Sequence, residues 1–338
     1  MAGGRRVTQQ DIARMTGVSQ ATVSLVLNER DDAAVRIAPE TRERVLQAIR
    51  RTGYVADPIA RRLAARHNRF LGVFTYEPVF PAGQGDFYHP FLVGIEECAE
   101  RIGCDLLLFT SAPVVDGRRR IFHRDNRLRL ADGCILLGQW LDPQELARLL
   151  AEGEPFVSVG RRDDAGGPVP YVGADYPAAT AAQVRRAYEL GHRTIGYLGE
   201  GAGPESHADR MLGFTTAVAE TRIKGVHVTG TPGALDELMA HGCTCVLVEE
   251  FADGVALAEE ARTRALRVPE DLSLIALGDP TRPASTDLDI TGFRIPRREM
   301  GWQAVEVLTA VIEGTGGPVQ RLLPCEPVAG ATLAVPHA

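Results

Sequence analysis

The sequence lacks long apolar runs: none of about 18 residues, the length that a membrane-spanning helix needs, occurs among its 338 residues. The first residues, Met-Ala-Gly-Gly-Arg-Arg, have no apolar segment behind their charges, so no secretory signal is predicted. The cysteines are scattered through apolar segments, at Cys98, Cys104, Cys134, Cys243, Cys245 and Cys325. Because they form neither a disulfide framework nor a metal-ligand pattern, we expect a cytoplasmic protein with reduced thiols, no metal and no cofactor.

Lysine is almost absent, since Lys224 is the only one in the chain. There is accordingly no Walker lysine motif, and Gly199-Glu-Gly-Ala-Gly203 lacks the glycine spacing of a dinucleotide-binding loop. The eight histidines form no metal-like cluster, and no serine occupies a nucleophile elbow. We therefore do not expect an enzyme.

Charge is distributed unevenly along the chain. The formal net charge is −7, but residues 1–69 contain 13 Arg against 7 Asp or Glu, a balance of +6, so the remainder carries −13. Neutralisation of DNA phosphates needs local rather than total positive charge. This distribution favours nucleic-acid binding by the N-terminal part, the alternative being a basic surface that has no partner.

Residues 8–28 predict two short helices and a tight turn. Thr8 and Asp11 have the spacing of a helix N-cap and its partner, Gly17 can end the first helix, and Ser19 can cap the second. The positions predicted to face the core are Ile12, Met15, Val18, Val23 and Val26. The positions predicted on the opposite side of the second helix are Gln20, Ala21, Ser24 and Leu25. The pattern is a helix-turn-helix whose second helix is free to enter a major groove.

A third helix is predicted from Pro39 to Thr52, ended by Gly53 and packed through Val45, Ile49 and Tyr54. Residues 57–69 can form one more short helix, with Asp57 as cap and Pro58 at its first position, but it is too short to be stable alone.

This N-terminal part resembles the headpiece of the LacI family of bacterial transcription regulators. The matching residues are Val7-Thr8, Asp11-Ile12-Ala13, Gly17-Val18-Ser19, Thr22-Val23-Ser24, Val26-Leu27-Asn28, Thr41-Arg42-Glu43-Arg44-Val45, Gly53-Tyr54, Pro58, Ala60, Leu63 and Ala64. In that family the segment matching residues 57–69 is a hinge helix that orders on operator DNA. The resemblance places Leu63 where the family has a leucine that wedges into the minor groove. The alternative for this segment is a plain linker.

From Phe70 onward, apolar strand-like runs alternate with amphipathic helices. The predicted strands are Phe70–Thr75, Asp105–Thr110, Gly133–Gly138, Phe156–Gly160, Tyr171–Asp175, Thr194–Gly199, Cys245–Val248 and Leu272–Leu277. The predicted helices are Pro90–Ile102, Arg118–Leu130, Pro143–Ala151, Ala178–Leu190 and Asp209–Thr221. Such alternation predicts α/β architecture with two doubly wound parallel-sheet lobes, the second of which we expect to open at Tyr171.

The same region resembles the type I periplasmic-binding-protein-like domain of LacI-family regulators. The motifs that carry the resemblance are Gly94-Ile95-Glu96-Glu97, Asp132-Gly133, Glu189-Leu190-Gly191-His192-Arg193, Arg210-x-x-Gly213-Phe214, Pro269-x-Asp271-Leu272-Ser273 and Arg294-Ile295-Pro296. The expected organisation is an all-α headpiece at residues 1–56, a hinge helix or linker at 57–69, and an effector-binding and dimerisation domain at 70–338. Within that domain the resemblance implies an N-lobe of about 70–165 plus 297–325 and a C-lobe of about 166–296 plus 326–338. Effectors would lie in the cleft between the lobes, with closure by a hinge motion.

For the DNA contacts we expect Gln20, Ala21 and Leu25 to face bases, with Gln20 able to pair with adenine and the other two limited to apolar contact. Many family members have arginine where Leu25 stands, so no member's operator sequence is carried over. The residues expected to contact phosphates are Thr8, Ser19, Thr22, Ser24 and Asn28. The residues expected to contact DNA from the hinge segment are Ala60, Arg61, Leu63 and Ala64.

For the effector cleft, Arg210 matches an arginine that family members use to hold sugar hydroxyls or a carboxylate. Asp279 stands near a family aspartate, although one carboxylate of the usual pair is missing, and Glu250 stands where the family has an Asn-Asp pair. Those departures leave nucleobases, amines and other metabolites open beside sugars. Phe87 and Tyr88 fall where aromatic residues border the cleft, and a core role for one of them is the alternative.

The sequence thus predicts a homodimeric transcription regulator, most simply a repressor, that binds a near-palindromic operator and responds to a small molecule. No heptad repeat closes the sequence, so dimers are expected rather than tetramers. The alternative is a solute-binding module that does not read DNA.

Overall fold

The structure is a computed structural model that describes residues 7–27, 37–54, 68–77, 87–115, 118–122, 127–230, 233–280, 286–315 and 319–337. The chain divides into two compact units, residues 1–68 and 69–338. No helix in the described ranges has the length and apolar character that crossing a bilayer would require.

The first unit is a small bundle of helices α1 (Gln9–Thr16), α2 (Gln20–Leu27) and α3 (Pro39–Thr52). Both α1 and α3 end at a glycine in the left-handed conformation, Gly17 with φ 66° and Gly53 with φ 62°. These glycines terminate the helices where the sequence predicted, because a residue with a Cβ is disfavoured at positive φ. The buried apolar side chains of the bundle are Ile12, Ala13, Val23, Val26, Val45 and Ala48.

One predicted core position of the bundle is wrong. Met15 is 58% exposed, and Thr16 is buried instead. Thr16 tolerates burial because its hydroxyl donates to the Ile12 carbonyl oxygen at 2.8 Å.

The second unit contains two six-stranded sheets in its described part. The first sheet has the order β13-β7-β6-β5-β1-β2 and is parallel throughout. Its strands are β1 (Phe70–Thr75), β2 (Asp105–Phe109), β5 (Gly133–Leu137), β6 (Phe156–Val159), β7 (Tyr171–Ala174) and β13 (Gln320–Leu323). The helices that follow or precede these strands are α4 (His89–Ile102), α5 (Pro143–Glu152) and α10 (Arg297–Glu313). A two-stranded ribbon, β3 (Val114–Val115) with β4 (Arg118–Arg119), and a 3₁₀ turn at Arg127–Leu130 complete this lobe.

The second sheet has the order β14-β12-β11-β10-β8-β9 and is parallel except for the antiparallel edge pair β12 and β14. Its strands are β8 (Thr194–Leu198), β9 (Lys224–Val228), β10 (Cys245–Val248), β11 (Ser273–Ala276), β12 (Thr291–Arg294) and β14 (Glu326–Val328). Its helices are α6 (Tyr176–Glu189), α7 (Glu205–Thr221), α8 (Ala234–Ala240) and α9 (Phe251–Thr263). Most strand residues are buried on both faces, as expected for sheets covered by helices on both sides.

Two expectations for this unit are wrong. The strand at Tyr171 pairs with β6 and β13, so it belongs to the first sheet and does not open the second lobe. The helix predicted at Arg118–Leu130 is absent, since the described part of that segment is a strand, a loop and a 3₁₀ turn. Its backbone is held by tertiary acceptors instead: the amides of Ile121 and Phe122 both donate to Glu145 Oε1, at 3.0 and 3.3 Å.

Helices α4 and α10 cross in close backbone contact. A Cβ placed on Gly94 would lie 1.9 Å from the Arg298 carbonyl oxygen, and one on Gly301 would lie 2.2 Å from the Phe91 carbonyl oxygen. Only glycine at both positions permits this approach, which sets α10 and its N-terminal residues against the start of α4.

Candidate DNA-reading face and inter-lobe cleft

Side-chain caps fix the starts of both α1 and α2. Thr8 Oγ1 accepts the Asp11 amide at 3.3 Å, while Asp11 Oδ2 accepts the Thr8 amide at 3.0 Å and the Thr8 hydroxyl at 2.7 Å. Ser19 Oγ accepts the Thr22 amide at 3.1 Å and lies 2.9 Å from Thr22 Oγ1. Thr8 and Ser19, expected at phosphates, therefore also cap the first turns of the two helices.

The exposed face of α2 contains the residues that the sequence assigned to base contacts. Gln20 and Ala21 are exposed, and Leu25 is 40% exposed although its neighbours Val23 and Val26 are buried. The Gln20 amide nitrogen donates to Gln9 Oε1 at 3.3 Å, so its side chain is oriented by α1. Ser24 is half-buried on the same helix. Of the remaining expected DNA contacts, Asn28, Ala60, Arg61, Leu63 and Ala64 lie outside the described residues.

In the second unit a cleft opens between the two lobes, at the carboxyl ends of the parallel strands, as expected for such sheets. Its empty volume, including the part open to solvent, is ≈ 700 Å³. Aromatic and apolar side chains form one part of the wall: Phe87, Tyr88, Phe91, Leu137, Val159, Tyr176, Ile295 and Met300. Charged and polar side chains form the rest: Gln139, Arg161, Arg162, Ser206, His207, Asp209, Arg210 and Glu250. This mixture is typical of a site for a small polar ligand.

Four of the five residues predicted for the effector site line this cleft: Phe87, Tyr88, Arg210 and Glu250. Phe87 packs edge-on against Tyr88, with ring centres 4.9 Å apart. Tyr88 is only 7% exposed and its hydroxyl donates to Glu77, so it has a core role as well. Burial and the neighbouring Glu77 carboxylate raise the pKa of Tyr88 far above its ordinary value, which keeps it a hydrogen-bond donor.

Arg210 is a buried residue whose side chain is held by backbone oxygens. It is 7% exposed, its Nε donates to the Leu277 carbonyl at 2.7 Å, and its Nη1 donates to the Ser206 carbonyl at 2.9 Å. The guanidinium carbon lies 4.0 Å from the centre of the Tyr176 ring. Backbone oxygens and a π face therefore hold the group against the cleft wall.

The structure does not place Asp279 on the wall of this cleft. Its Oδ2 accepts the Ile295 amide at 2.8 Å, and the side chain lines a neighbouring groove together with Arg297. Asp279 thus orders the segment between β12 and α10, a position that the sequence pattern alone did not distinguish from a ligand contact.

Two adjacent arginines join the lobes across the cleft. Arg161, which follows β6 in the first lobe, donates from Nε to both Asp209 oxygens on α7 of the second lobe, at 2.7 and 3.0 Å. Arg162 donates to Glu205 Oε2 at 2.7 Å and is itself almost completely buried. Burial raises the pKa of Asp209 and the Arg161 hydrogen bonds lower it, with a net shift upward. These pairs hold the lobes in the pose that the structure shows.

A buried carboxylate beside the cleft orders the second lobe. Glu249 accepts the Tyr197 hydroxyl at 2.5 Å and the Gly201 amide at 2.8 Å, and it lies 2.6 Å from His207 Nδ1. Burial alone would raise the pKa of Glu249, but these contacts outweigh it and hold the pKa below its ordinary value. Glu250 lies 3.9 Å from His207 Nε2, so the histidine sits between the two carboxylates.

Sequence reasoning missed Arg161, Arg162, Tyr176, His207 and Asp209 as cleft residues. A signal for the first two was available, because Arg161 and Arg162 directly follow the predicted strand Phe156–Gly160 and the carboxyl ends of parallel strands meet at one edge. Tyr176, His207 and Asp209 lie on α6 and α7, where helical spacing gives no indication that a residue faces a second lobe.

Comparisons with known proteins were made for the whole chain. Residues 8–57 match the family model described as "Bacterial regulatory proteins, lacI family", and residues 184–333 match a "Periplasmic binding protein-like domain". The chain is 30% identical to the HTH-type transcriptional regulator MalR of Streptomyces coelicolor, over 96% of each chain.

The solved structures that share the fold include the following two. The lac repressor dimer bound to operator and the anti-inducer ONPF superposes with a TM-score of 0.71 at 20% identity, covering 98% of this chain and 100% of that one. A complex of the transcriptional regulator CelR with cellobiose gives a TM-score of 0.63 at 24% identity, covering 97% of this chain and 100% of that one.

Proposed function

The chain belongs to the lacI family of bacterial regulatory proteins, and from that premise we propose that it is a repressor whose affinity for an operator is set by a small molecule in the inter-lobe cleft. The observation that carries the proposal is the face of α2. Helix α2, which Ser19 caps directly after the tight turn, presents Gln20, Ala21 and Leu25 to solvent, and its other face is buried in the bundle. That is the geometry with which a recognition helix enters a major groove.

The three exposed side chains have different capacities for reading bases. Gln20 can donate to N7 and accept from N6 of an adenine, whereas Ala21 and Leu25 can only offer apolar contact, for example to a thymine methyl. The operator we infer is therefore rich in A·T pairs under α2. Thr8, Ser19, Thr22, Ser24 and Asn28 are proposed to contact phosphates, which fixes the register of the helix on the duplex.

The hinge segment is proposed to supply the second set of DNA contacts. Leu63 would act as a minor-groove wedge, flanked by Ala60, Arg61 and Ala64. A wedge unstacks one base step, and added surface contact with the bent duplex offsets that cost.

The cleft is proposed as the regulatory site. A ligand there can change operator affinity only to the extent that it binds one pose of the lobes better than another, a coupling of typically about 1–3 kcal/mol. Arg161 and Asp209 come from different lobes and both line the cleft, so a ligand that contacts either one bears directly on lobe closure. The CelR structure carries cellobiose, which supports a small polar effector, a sugar or another metabolite, for this chain.

We further propose a homodimer that binds a near-palindromic site, since a two-fold protein matches a two-fold sequence. The similar lac repressor structure is a dimer on its operator, which supports this assembly. A regulator of this kind acts on the chromosome in the bacterial cytoplasm and needs no catalytic activity.

The experiment that tests the proposal is selection of bound duplexes from a randomised DNA pool by the purified full-length protein, at stated salt because phosphate contacts are salt-dependent. We expect enrichment of a palindrome. Gln20→Ala should relax one position in each half-site, and Gln10→Ala, an exposed glutamine on α1, should leave the base preferences unchanged.

If no sequence is enriched, either without ligand or with candidate effectors present, the repressor proposal is wrong and the chain is a solute-binding module. Enrichment of a single unrepeated half-site would instead overturn the dimeric part of the proposal.

A further inference from the structure

Two glutamines meet at the start of the helix-turn-helix. Gln9 is the first residue of α1 and Gln20 is the first residue of α2, and the amide nitrogen of Gln20 donates to Gln9 Oε1 at 3.3 Å. Gln20 is exposed to solvent and Gln9 is half-buried. The DNA contacts proposed so far include Gln20 but not Gln9, although the two side chains form one hydrogen-bonded pair.

The backbone on both sides of the pair is held by other contacts. The capping box of Thr8 and Asp11 fixes the first turn of α1, and the Ser19 cap fixes the first turn of α2. Ile12 on α1 and Val23 on α2 are both completely buried in the core of the bundle. The two amides therefore meet between helix ends whose positions do not depend on the amides themselves.

Two side-chain amides can pair in either of two directions, because each has a carbonyl oxygen that accepts and an NH₂ group that donates. In one direction Gln20 donates to Gln9, and in the other Gln20 accepts from Gln9. The structure has the first direction. This bond uses one N–H of Gln20 and leaves its second N–H and its carbonyl oxygen for a base.

The direction of the pair determines which base the Gln20 amide complements. One donor and one acceptor match N7 and N6 of adenine, whereas guanine presents two acceptors, N7 and O6, in the same part of the major groove. If Gln9 instead donated to the oxygen of Gln20, the NH₂ group of Gln20 would be the part left for the base, and that group complements guanine. A Gln20 amide that rotates freely could satisfy either base.

We propose that Gln9 is a positioning residue for base recognition: by accepting a hydrogen bond from Gln20 it orients the Gln20 amide so that adenine is preferred to guanine. The inference rests on the proposed repressor function and deepens it by naming a residue that controls specificity through another residue. Helix α1 then contributes to the choice of sequence together with α2.

The test uses the full-length protein and the operator obtained by selection from the randomised DNA pool. The position of interest is the one in each half-site whose base preference Gln20→Ala relaxes. Fluorescence anisotropy at constant salt measures the Kd for a duplex with A·T at that position and for a duplex with G·C there. The quantity compared between variants is the ratio of the two Kd values, because a general loss of affinity cancels in the ratio.

Two substitutions of Gln9 make opposite demands on the amide pair. Gln9→Met has a side chain of similar length without an acceptor, and should reduce the preference for adenine roughly three- to tenfold per half-site, the contribution of one neutral hydrogen bond. Gln9→Glu can only accept, so it should keep the preference for adenine or increase it, while its negative charge weakens binding to both duplexes. Gln47→Met, at an exposed glutamine of α3, should change the ratio by less than about twofold.

A double-mutant cycle shows whether Gln9 acts through Gln20. In a Gln20→Ala background, Gln9→Met should cause no further change in the ratio, because the amide that Gln9 orients is gone. If Gln9→Met changed the ratio as much in that background as in the unmodified protein, Gln9 would contact a base directly and the proposal would be wrong. If Gln9→Met lowered the affinity for both duplexes equally, Gln9 would have only a structural role, which would also overturn the proposal.

The failure of this inference is distinguishable from the failure of the repressor proposal. A palindromic operator whose base preferences do not change in Gln9→Met would refute the role of Gln9 and leave the repressor standing. If selection enriched no sequence at all, the repressor proposal would be wrong, and the inference would be wrong with it.

Discussion

Replacing Arg161 with methionine should destabilise the pose of the lobes that the structure shows. Methionine keeps most of the apolar stem but removes the guanidinium that binds Asp209 through two contacts, at 2.7 and 3.0 Å. The Asp209 side chain is 6% exposed, so its carboxylate would remain buried without its partner or become hydrated only if the lobes separate. Either outcome costs free energy.

The magnitude follows from the burial of the two partners. Breaking a buried ion pair from one side typically costs about 3–5 kcal/mol. The Arg161 side chain is 24% exposed and the Arg162–Glu205 pair remains, so we expect the lower end, about 3 kcal/mol, in the free energy of unfolding. Arg185→Met removes an ion pair with Glu220 that is about half exposed on both sides, and should cost less than about 1 kcal/mol.

Urea unfolding of the full-length variants measures these losses, and a double-mutant cycle with Asp209→Asn assigns them. The double variant should be more stable than Arg161→Met alone, because the buried charge is gone. Equal losses for Arg161→Met and Arg185→Met, or no recovery in the double variant, would refute the reasoning.

Fluorescence reports the same event as a change in lobe pose. Trp140, in the first lobe, contacts the second: a Cβ on Gly203 would lie 3.0 Å from Trp140 Cζ2. The chain has two tryptophans, so Trp302→Phe leaves Trp140 as the single probe. In that background Arg161→Met should increase quenching of Trp140 by acrylamide under native conditions, and Arg185→Met should not.

Three further predictions concern other parts of the chain. Gly94→Ala should cost about 2 kcal/mol or more in urea unfolding, because its Cβ would overlap the α10 backbone, whereas at Gly167 the nearest atom would be 3.9 Å away and the same change should be nearly neutral. Burial lowers the pKa of His192, so near that pKa the folded state binds fewer protons than the unfolded state. The free energy of unfolding should therefore fall as the pH drops below about 6.5 toward the pKa of the folded state, with a slope of at most about 1.4 kcal/mol per pH unit. In a pH series of urea unfolding, His192→Asn should flatten that slope, and His241→Asn, at an exposed position, should leave it unchanged. Gln20→Ala should flatten the base preference at one position of each half-site in a mismatch-binding series while keeping the salt dependence, and an unchanged profile would remove Gln20 from the reading set.

Local sequence patterns were sufficient to predict where the helices of the first unit begin and end. Thr8 with Asp11, and the glycines at 17 and 53, determine where the helices begin and end, because caps and positive φ depend on neighbours within one or two turns. The strand runs of the second unit were equally clear, since strands buried on both faces are continuously apolar. The family resemblance rests on these same local motifs.

Local sequence patterns failed to predict the structure where residues far away in the chain form hydrogen bonds with the backbone. A helix was predicted at Arg118–Leu130, but there the buried Glu145 accepts the amides of Ile121 and Phe122, which a helix would use for its own hydrogen bonds. The strand at Tyr171 is visible in the sequence, yet its place in the first sheet depends on pairing with β6 on one side and, on the other, with β13, about 150 residues later in the chain.

The sequence by itself determined the kind of protein: a capped helix-turn-helix, two parallel-sheet lobes and a basic N-terminal part, all of them properties of short segments or of composition. Only the tertiary structure decided which charges meet across the cleft. Arg161 pairs with a carboxylate of the other lobe, whereas Arg297, equally charged, is buried at a helix N-terminus without an acceptor in the described residues. Pairing and burial depend on distances between elements far apart in the chain, and no local pattern encodes those distances.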